Sequence, residues 1–221
     1  MIYPKIETLF ERKENFGVDI NKIKNPVYEI IKTWQVTEKI DGTNIRVMLQ
    51  SDGTIRIGGR TDAAQIHADL VRYLYETFPA EKLRQVFWKD SSEQPFSVIL
   101  YGEGYGAGIQ KGGGNYNPKK VFRLFDVAVA GKEEGKWWWL NWENVCDVAK
   151  QLNIRTVPYL GLWTLDQIVQ QVKSGIKSVV AIEDSQREDV IAEGVVGRTA
   201  EPLFDKRGNR LILKLKTKDF K

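Results

Sequence analysis

Cysteine and histidine are almost absent from this sequence, which has one of each, Cys146 and His67, in 221 residues. A single cysteine forms no internal disulfide, and the number of ligands excludes a zinc cluster of cysteine and histidine. His67 leaves one candidate base at most for a cysteine–histidine or serine–histidine mechanism. Because no partner for it is recognisable, we interpret His67 as structural or solvent-facing. Any chemistry must therefore come from carboxylates, lysines and arginines.

Long apolar runs are also missing. No stretch approaches the ~18 apolar residues of a membrane-spanning helix, and the N-terminal residues Met1–Lys5 lack the organisation of a signal peptide. We therefore expect an intracellular, cytoplasmic protein without a membrane partner. Hydrophobic residues make up 42% and charged residues 28% of the chain, which is typical of a soluble globular protein with a real core.

A strong excess of one charge is absent as well. The formal net charge is +4 and the isoelectric point is about 9.0, which permits a polyanionic partner but supports one only weakly. The length suits one large domain or two small ones. Because no internal repeat and no dividing linker is recognisable, we predict a single domain over residues 1–221.

The hydrophobic periodicity predicts a mixture of strands and helices. We interpret the first 35 residues as a short amphipathic segment followed by a polar loop. Ser51–Thr54 is an Asp-Gly turn signal between two strands, and simple pairing would return Arg60 towards the Lys39 end. A glycine-rich loop is predicted from Gly102 to Gly108. Further strands are predicted at 96–101, 121–129, 137–140, 191–197 and 210–217, and helices at 66–78, 83–87, 142–151 and 165–174, the last opened by a capping box of Thr164 and Gln167.

One stretch, Glu38–Val47, places a lysine before a tight polar turn that leads into a strand. The pKa of a lysine falls when the side chain is desolvated or surrounded by cations, and such a lysine is a candidate nucleophile. Gly42 in the turn lets the backbone approach a ligand closely. The alternative is a surface lysine beside an Asx-type turn, and this segment alone does not decide between the two.

Three other features carry weaker signals. The loop at 102–108 suggests phosphate binding but is not a P-loop. The polar loop at 110–120 is either a surface loop or a contact to phosphates. The tryptophan cluster Trp137–Trp139 is more typical of core and sheet surface than of a base-stacking platform.

Lys39–Asn44 resembles the nucleotidyl-lysine motif, K-x-D/H-G-x-N/R, of the superfamily that contains polynucleotide ligases and mRNA capping enzymes. Asn44 at the sixth position is closer to the RNA ligases than to the DNA ligases, which usually carry arginine there. Four further motifs of that superfamily follow in the expected order, and a series of five is far more specific than any one. They are the carboxylate motif ending in Gly102-Glu103-Gly104, the aromatic motif Leu124–Val127, the E-G-V-V motif Glu193–Val196 and the closing K-x-K motif of Lys214 and Lys216.

The resemblance implies catalytic roles for four residues. Lys39 would attack the α-phosphorus of ATP, expel pyrophosphate and hold AMP through a phosphoramide. Lys214 and Lys216, two apart on a strand and so on one face, would contact the α-phosphate and help to lower the pKa of Lys39. Glu193 would hold a divalent cation, Mg²⁺ or alternatively Mn²⁺.

The resemblance also implies a nucleotide-binding set. Arg60 and Glu103 would contact the ribose, Phe125 would stack on the adenine, and Glu38 or its backbone would contact the base edge. Three motif residues are placed near the nucleotide without a firm role: Ile40, Asp41 and Asn44.

The implied fold is an α+β nucleotidyltransferase (adenylyltransferase) domain of antiparallel sheets flanked by helices, with an ATP-grasp-like nucleotide cleft. The implied function is that of an ATP-dependent RNA ligase of the RNA repair and editing type. It would transfer AMP from the lysine to the 5′-phosphate of RNA and then join that end to a 3′-hydroxyl.

Several alternatives stay open. Asp41 favours a DNA nick ligase, with DNA in place of RNA as the partner, whereas Asn44 disfavours it. A guanylyltransferase would use GTP, and an NAD-dependent ligase would carry an N-terminal domain larger than 35 residues. A nucleic-acid-end binding module without sealing activity is the alternative outside enzymes. Because the chain stops soon after Lys216, we expect no separate C-terminal domain. The protein would then be a minimal ligase, a truncated chain, or a subunit whose partner protein or domain recognises the ends.

Overall fold

The computed structural model describes residues 1–14, 17–88, 96–131 and 135–220. The fold consists of two compact units. The first comprises Met1–Tyr3 and Gly42–Val157, and the second comprises Pro4–Asp41 and the chain from Pro158 onward. The boundary between Asp41 and Gly42 falls inside the lysine motif. A single domain over the whole chain stays a prediction.

The described residues form a mixed α+β structure, as predicted. The strands are β1 (Glu7–Thr8), β2 (Phe10–Arg12), β3 (Val18–Ile23), β4 (Trp34–Lys39), β5 (Thr43–Leu49), β6 (Ile55–Gly58), β7 (Val98–Tyr105), β8 (Val121–Ala130), β9 (Trp137–Trp139), β10 (Tyr159–Trp163), β11 (Gly194–Arg198) and β12 (Ile212–Lys216). The helices are α1 (Ala68–Thr77), α2 (Ala80–Phe87), α3 (Trp142–Gln151), α4 (Leu165–Ser174) and α5 (Val179–Ser185), with short 3-10 helices at Pro26–Ile30, Gly113–Asn115 and Thr217–Phe220.

The first unit is built on a five-stranded antiparallel sheet in the order β6-β5-β7-β8-β9. The predicted turn at Ser51–Thr54 is confirmed: Gly53 has a φ of 84°, which glycine tolerates, and Asp52 accepts a hydrogen bond from the backbone of Thr54. In the β5–β6 hairpin Arg46 pairs with Gly58. Arg60 therefore follows the end of β6 on the side where β5 begins.

The predicted glycine-rich loop begins too early. Gly102, Glu103 and Gly104 continue strand β7 through to Tyr105. A Cβ atom on Gly102 would lie 2.1 Å from the ring of Phe122. Glycine is present there because a neighbouring side chain occupies the space, so the composition that usually indicates a turn here indicates close packing.

The second unit contains a five-stranded sheet in the order β1-β12-β11-β4-β10 and a separate hairpin of β2 and β3. β1 runs parallel to β12, and the other neighbours are antiparallel. Alternation along the strands directs Trp34, Val36, Leu213 and Leu215 into the core, where they pack with residues of α4. The opposite face carries the lysines of the predicted site.

The N-terminal interpretation needs correction. The segment expected to be amphipathic and then loop-like forms strands β1, β2 and β3, because its backbone finds partners in β12 and in its own hairpin. Strand β10 and helix α5 were not predicted either. The helices at 142–151 and 165–174 are confirmed, and Thr164 and Gln167 form the expected capping box.

His67 has the structural task expected of it. Its ring nitrogen accepts a hydrogen bond from the backbone of Asp69 at 3.2 Å and so caps the start of α1. None of the helices in the described part of the chain has the length and apolar character that a membrane span requires.

Candidate active site

Lys39 lies at the end of β4, in a row that crosses three strands. It pairs with Gly194 of β11, and Gly194 pairs in turn with Lys216 of β12. Residues in one row, and residues two apart on one strand, share a face of the sheet. Lys39, Lys214 and Lys216 therefore lie on one face, opposite the core, which confirms the prediction that Lys214 and Lys216 share a face.

Glu193 joins two of these lysines. One carboxylate oxygen lies 2.6 Å from Nζ of Lys39 and the other lies 2.5 Å from Nζ of Lys216. Burial alone would raise the pKa of Glu193, but the charges and hydrogen bonds of the two ammonium groups outweigh it and hold this pKa below its ordinary value. The carbonyl of Glu193 also accepts a hydrogen bond from the backbone of Thr217, at 2.9 Å, which fixes its position.

Gly194 keeps the row closely packed between the two lysine strands. A Cβ atom there would lie 2.1 Å from the carbonyl oxygen of Leu215 and 2.7 Å from Cα of Lys216. Both obstacles are backbone atoms, which do not move aside cheaply. Glycine at this position therefore allows Glu193 to sit between Lys39 and Lys216.

Lys214 is half-buried, and within the described residues its ammonium group has no hydrogen-bond or ion-pair partner. Burial, and then the positive charges of Lys39 and Lys216, lowers its pKa to about 8 from an ordinary value of 10.5. The sequence predicted such a shift for Lys39, and there it stays a prediction. In the structure the pKa that is lowered by burial and neighbouring cations is that of Lys214, on the same sheet face.

Glu38 precedes Lys39 and projects from the opposite face of β4. Its buried carboxylate accepts a hydrogen bond from the hydroxyl of Ser178 at 2.6 Å and another from the backbone of Val180 at 3.1 Å. These bonds tie β4 to the start of α5. The side chain of Glu38 thus has a structural task, and its contact with the base edge stays a prediction. Ile40, which follows Lys39, is also buried.

The first unit contains the remaining nucleotide-binding residues. Asn44 of β5 pairs with Glu103 of β7, and Glu103 pairs with Arg123 of β8, so the three form a polar row on one sheet face. The side-chain oxygen of Asn44 is buried, and none of the described residues donates a hydrogen bond to it. A buried acceptor of this kind costs free energy unless a donor reaches it, so it fits a ligand hydroxyl or amine.

Phe125 occupies a β-bulge. Tyr101 pairs with Asp126 and Gly102 pairs with Leu124, so Phe125 is the extra residue of β8 between these pairs. It is partly buried and packs edge-on against Tyr3, with 5.1 Å between the ring centres. A bulge changes the direction of a side chain and is frequent beside active sites.

The structure therefore brings together four predicted residues in the second unit: Lys39, Glu193, Lys214 and Lys216. In the first unit it brings together Asn44 and Glu103, with Phe125 on the bulge and Arg60 exposed after β6. The grouping of both sets around one nucleotide stays a prediction. Reasoning from sequence missed Ser178 and Thr217, because nothing in the local pattern indicates which distant backbone or carboxylate they contact.

A divalent cation is implied by the resemblance, and the donor set near Lys39 fits Mg²⁺. In the described part of the chain no three acidic, histidine or cysteine side chains gather into a metal cage. Mg²⁺ does not need one, because it commonly takes one or two carboxylates and fills its other positions with substrate phosphates and water. Glu193, beside Lys39, is the residue that would supply the carboxylate.

Comparison with known families decides the classification. A family model described as RNA ligase matches residues 32–216, from two residues before β4 to the last motif lysine. The chain belongs to the RNA ligase family. This confirms the resemblance proposed from the five motifs, and it favours the RNA ligases over the DNA ligases among the alternatives. No curated protein matches the chain at a significant level.

Solved structures confirm the nucleotidyltransferase fold of this RNA ligase family member. A mutant RNA ligase of Naegleria gruberi with ATP and Mn is 21% identical, with a TM-score of 0.63 over 97% of this chain and 57% of that one. The same ligase with pyrophosphate is 20% identical, with a TM-score of 0.63 over 99% and 62%. An archaeal ATP-dependent RNA ligase is 15% identical, with a TM-score of 0.63 over 99% and 49%. The chain thus spans about half to three-fifths of these ligases.

Proposed function

We propose that this protein is an ATP-dependent RNA ligase that works through a covalent AMP on Lys39. The observation that carries the proposal is the pairing of Lys39 and Lys216 with the two oxygens of Glu193, on the same sheet face as Lys214. A nucleophile, a carboxylate suited to a cation and two phosphate-binding cations are the groups that adenylylation requires. Membership of the RNA ligase family supports the same activity.

In the first step, the neutral amine of Lys39 attacks the α-phosphorus of ATP. A P–N bond forms, the bond to the bridging oxygen breaks, and pyrophosphate leaves. An ammonium group has no free electron pair, so Lys39 must first pass one proton to the carboxylate of Glu193 or to water. Lys214 and Lys216 would stabilise the negative charge that develops on the α-phosphate oxygens.

The cofactors of the reaction are ATP and a divalent cation, Mg²⁺ or Mn²⁺. Mutants of the Naegleria gruberi RNA ligase with ATP and Mn, and with AMP and Mn, support this assignment. Glu193 would hold the cation, which when bound would neutralise phosphate charge.

The first unit would supply the nucleotide contacts. We assign the adenine stack to Phe125 and the ribose hydroxyls to Arg60 and Glu103, since a carboxylate is a natural acceptor for hydroxyl groups. The orphan oxygen of Asn44 supports a polar ligand nearby. Because the carboxylate of Glu38 is occupied by Ser178, the backbone at Glu38 is the part we assign to the base edge.

The remaining steps act on RNA. AMP passes from Lys39 to a 5′-phosphate, and a 3′-hydroxyl then displaces AMP to seal the strand. We propose RNA with these two ends as the partner, and a further protein or domain to orient them.

A sealing panel tests this function. Single-stranded RNA, nicked RNA, nicked DNA and hybrid duplexes, each with 5′-phosphate and 3′-hydroxyl ends, are incubated with the protein, ATP and Mg²⁺. We expect ATP-dependent sealing of RNA ends at least tenfold faster than of DNA ends, roughly the discrimination of one lost polar contact. Replacing ATP with GTP should abolish it.

Two results would contradict the proposal. Faster sealing of nicked DNA would make the protein a DNA ligase. Salt-sensitive RNA binding without AMP transfer would make it an end-binding module.

A further inference from the structure

Arg46 of strand β5 is a buried charge in the first unit that belongs to none of the five motif assignments. It lies two residues after Asn44 on the same strand, and side chains two apart on a strand share a face of the sheet. Only 2% of its side chain is exposed. Burying a guanidinium costs free energy unless acceptors meet its N–H groups, so the acceptors indicate its task.

Two acceptors of Arg46 lie in the loop that follows β6. Its Nε donates a hydrogen bond to the carbonyl oxygen of Gly59 at 2.7 Å, and its Nη2 donates another to Oδ1 of Asp62, also at 2.7 Å. The first contact lies one residue before Arg60 and the second lies two residues after it. The guanidinium of Arg46 therefore holds the loop on both sides of Arg60.

The two glycines before Arg60 leave the space that this arrangement needs. A Cβ atom on Gly58 would lie 3.0 Å from Nη2 of Arg46, and one on Gly59 would lie 2.7 Å from Cβ of Ala64. Larger residues at these positions would push the guanidinium or the loop aside. The Gly-Gly pair thus lets Arg46 reach past the end of β6.

Stability alone does not account for the pair of Arg46 and Asp62. The side chain of Asp62 is 83% exposed, and ion pairs open to water contribute little to stability. An apolar residue in place of Arg46 would fill the interior without the cost of burying a charge. Arg60 is exposed and has no hydrogen-bond or ion-pair partner among the described residues, so its guanidinium is available to a ligand.

We propose that Arg46 and Asp62 are positioning residues, which hold the loop so that Arg60 meets the ribose of ATP. The inference rests on the proposed function, which assigns a ribose contact to Arg60. A side chain whose backbone is fixed before binding loses less conformational entropy when the ligand arrives, so this preorganisation increases affinity.

The ribose is remote from the bonds that change in the reaction. A contact to it is therefore made equally in bound ATP and in the transition state, and its loss raises KM while kcat stays unchanged. A purely structural role of Arg46 would instead lower stability without changing KM or the choice of nucleotide. The two roles thus differ in their kinetic consequences.

Asp62→Asn is the first test, because Asp62 is exposed and its replacement leaves the core intact. The rate of AMP transfer from ATP to Lys39 is measured against ATP concentration. We expect KM to rise about fivefold with kcat unchanged, the effect of one exposed charge pair. The preference for ATP over at least one of its 2′-deoxy and 3′-deoxy analogues should fall by a similar factor. Asp147→Asn is the matched control, since Asp147 is an exposed aspartate of the same unit that accepts a hydrogen bond from Gln151.

A double-mutant cycle connects the pair to Arg60. Arg60→Ala should raise KM by about tenfold, the effect of one lost charge-assisted contact. If Asp62 acts through Arg60, Asp62→Asn should add no further increase to that of Arg60→Ala. Arg46→Lys keeps the charge but lacks the planar fork that reaches two acceptors, and should repeat the effect of Asp62→Asn. Thermal unfolding of each variant verifies that the fold persists.

Hydrogen exchange tests the position of the loop without ATP. The backbone N–H of Ala64 donates a hydrogen bond to the carbonyl of Thr61 at 3.2 Å and so reports on the loop. Asp62→Asn should accelerate the exchange of this amide by about fivefold, the effect of one exposed charge pair on local opening. The amide of Val47, in the middle of β5, should exchange as in the wild type.

The inference is overturned if Asp62→Asn and Arg46→Lys both keep the KM and the nucleotide preference of the wild type, whatever their thermal stability. Additive effects of Asp62→Asn and Arg60→Ala on KM would also overturn it, because the pair would not act through Arg60. If the wild type forms no lysyl-AMP, the proposed function fails. Hydrogen exchange still decides whether the pair fixes the loop, and an unchanged rate for Ala64 in Asp62→Asn would exclude the positioning as well.

Discussion

At the scale of single residues, the site is a balance of three lysines against one carboxylate. Glu193 forms ion pairs with Lys39 and Lys216, while Lys214 on the same face has no ion-pair partner among the described residues. In the proposed reaction, the α-phosphate of ATP would bring further negative charge to this face.

Replacing Glu193 tests this balance. Glu193→Gln keeps the shape but removes the carboxylate charge between Lys39 and Lys216, and we expect the free energy of unfolding to fall by about 1–3 kcal/mol. AMP labelling should fall at least a hundredfold, about the loss of one transition-state contact. Chemical denaturation and labelled ATP measure the two effects. Glu143→Gln, an exposed change on α3, is the control, and equal effects of both variants would refute the balance.

The pKa of Lys214 predicts a pH dependence for ATP binding. Lys214 is protonated below about pH 8 and loses its charge as the pH rises through that value. We therefore expect the affinity for ATP to decrease between about pH 7 and 9, one unit on either side of the pKa. Lys214→Arg stays protonated and should flatten the curve. A fluorescence titration with ATP over this pH range measures the affinity of both proteins. An equal decrease in the wild type and in Lys214→Arg would contradict the assignment of the pH dependence to Lys214.

The positive charge of Lys214, which should favour ATP binding, should destabilise the folded protein. Its pKa is lower in the folded state than the ordinary 10.5, so the unfolded chain binds more protons between the two values. Below about pH 8 the charge destabilises the fold, and this penalty disappears as the pH rises to 10.5. Lys214→Met should thus raise the free energy of unfolding at pH 7 by about 1–2 kcal/mol, after allowance for partial exposure. The gain should vanish at pH 10.5, and a pH-independent gain would contradict the shift.

At the scale of elements, strand pairing assembles the site. Gly194 and Lys216 come from β11 and β12, which are consecutive strands, whereas Lys39 comes from β4, which is remote from both in sequence and adjacent to β11 only in the sheet. Alternation within each strand predicted correctly that Lys214 and Lys216 share a face. Resemblance to a family, rather than periodicity, supplied the link between those strands.

Gly194→Ala tests whether this packing is required. The added methyl group would meet the backbone of Leu215 and Lys216, so we expect a loss of about 1–3 kcal/mol in stability and a decrease in AMP labelling. Gly114→Ala is the matched control, since its nearest neighbour would lie at 3.7 Å. Thermal unfolding and labelled ATP provide the readouts. If Gly194→Ala behaves like Gly114→Ala, close packing of the row is not needed.

The bond between Glu38 and Ser178 gives a second test. Glu38→Gln replaces a charged acceptor for Ser178 and Val180 in a buried place, and should lower the free energy of unfolding by about 1–3 kcal/mol. Ser178→Ala should cost about 1 kcal/mol. A double-mutant cycle measured by denaturation should show that the two losses are coupled. Additive losses in the free energy of unfolding would contradict the bond between Glu38 and Ser178. Loss of ATP binding with full stability in Glu38→Gln would indicate that this side chain contacts the nucleotide instead.

Strands β1 and β10 and the bulge at Phe125 could not be predicted from the sequence, because each depends on pairing with another strand. β1 has two residues and gains its partner from β12 at the far end of the chain, and β10 pairs with β4 across a long separation. Short strands of this kind depend on tertiary pairing rather than on propensity. The bulge at Phe125 likewise depends on the register of its neighbour, which the aromatic motif does not encode.

At the scale of the whole molecule, the motif residues fall into two groups. The lysines and Glu193 belong to the second unit, and Asn44, Arg60, Glu103 and Phe125 belong to the first. Neither group alone provides both the phosphate chemistry and the nucleoside contacts that the proposed reaction needs. The ordered motifs were therefore more informative about function than either unit is by itself.

Covalent labelling tests the central claim most directly. The protein is incubated with α-labelled ATP and Mg²⁺, and the labelled peptide is identified by mass spectrometry. We predict one AMP, bound through an acid-labile P–N bond to Lys39, with no label in Lys39→Ala and undiminished label in Lys177→Ala. No label on the wild type, or equal label on Lys39→Ala, would contradict the account.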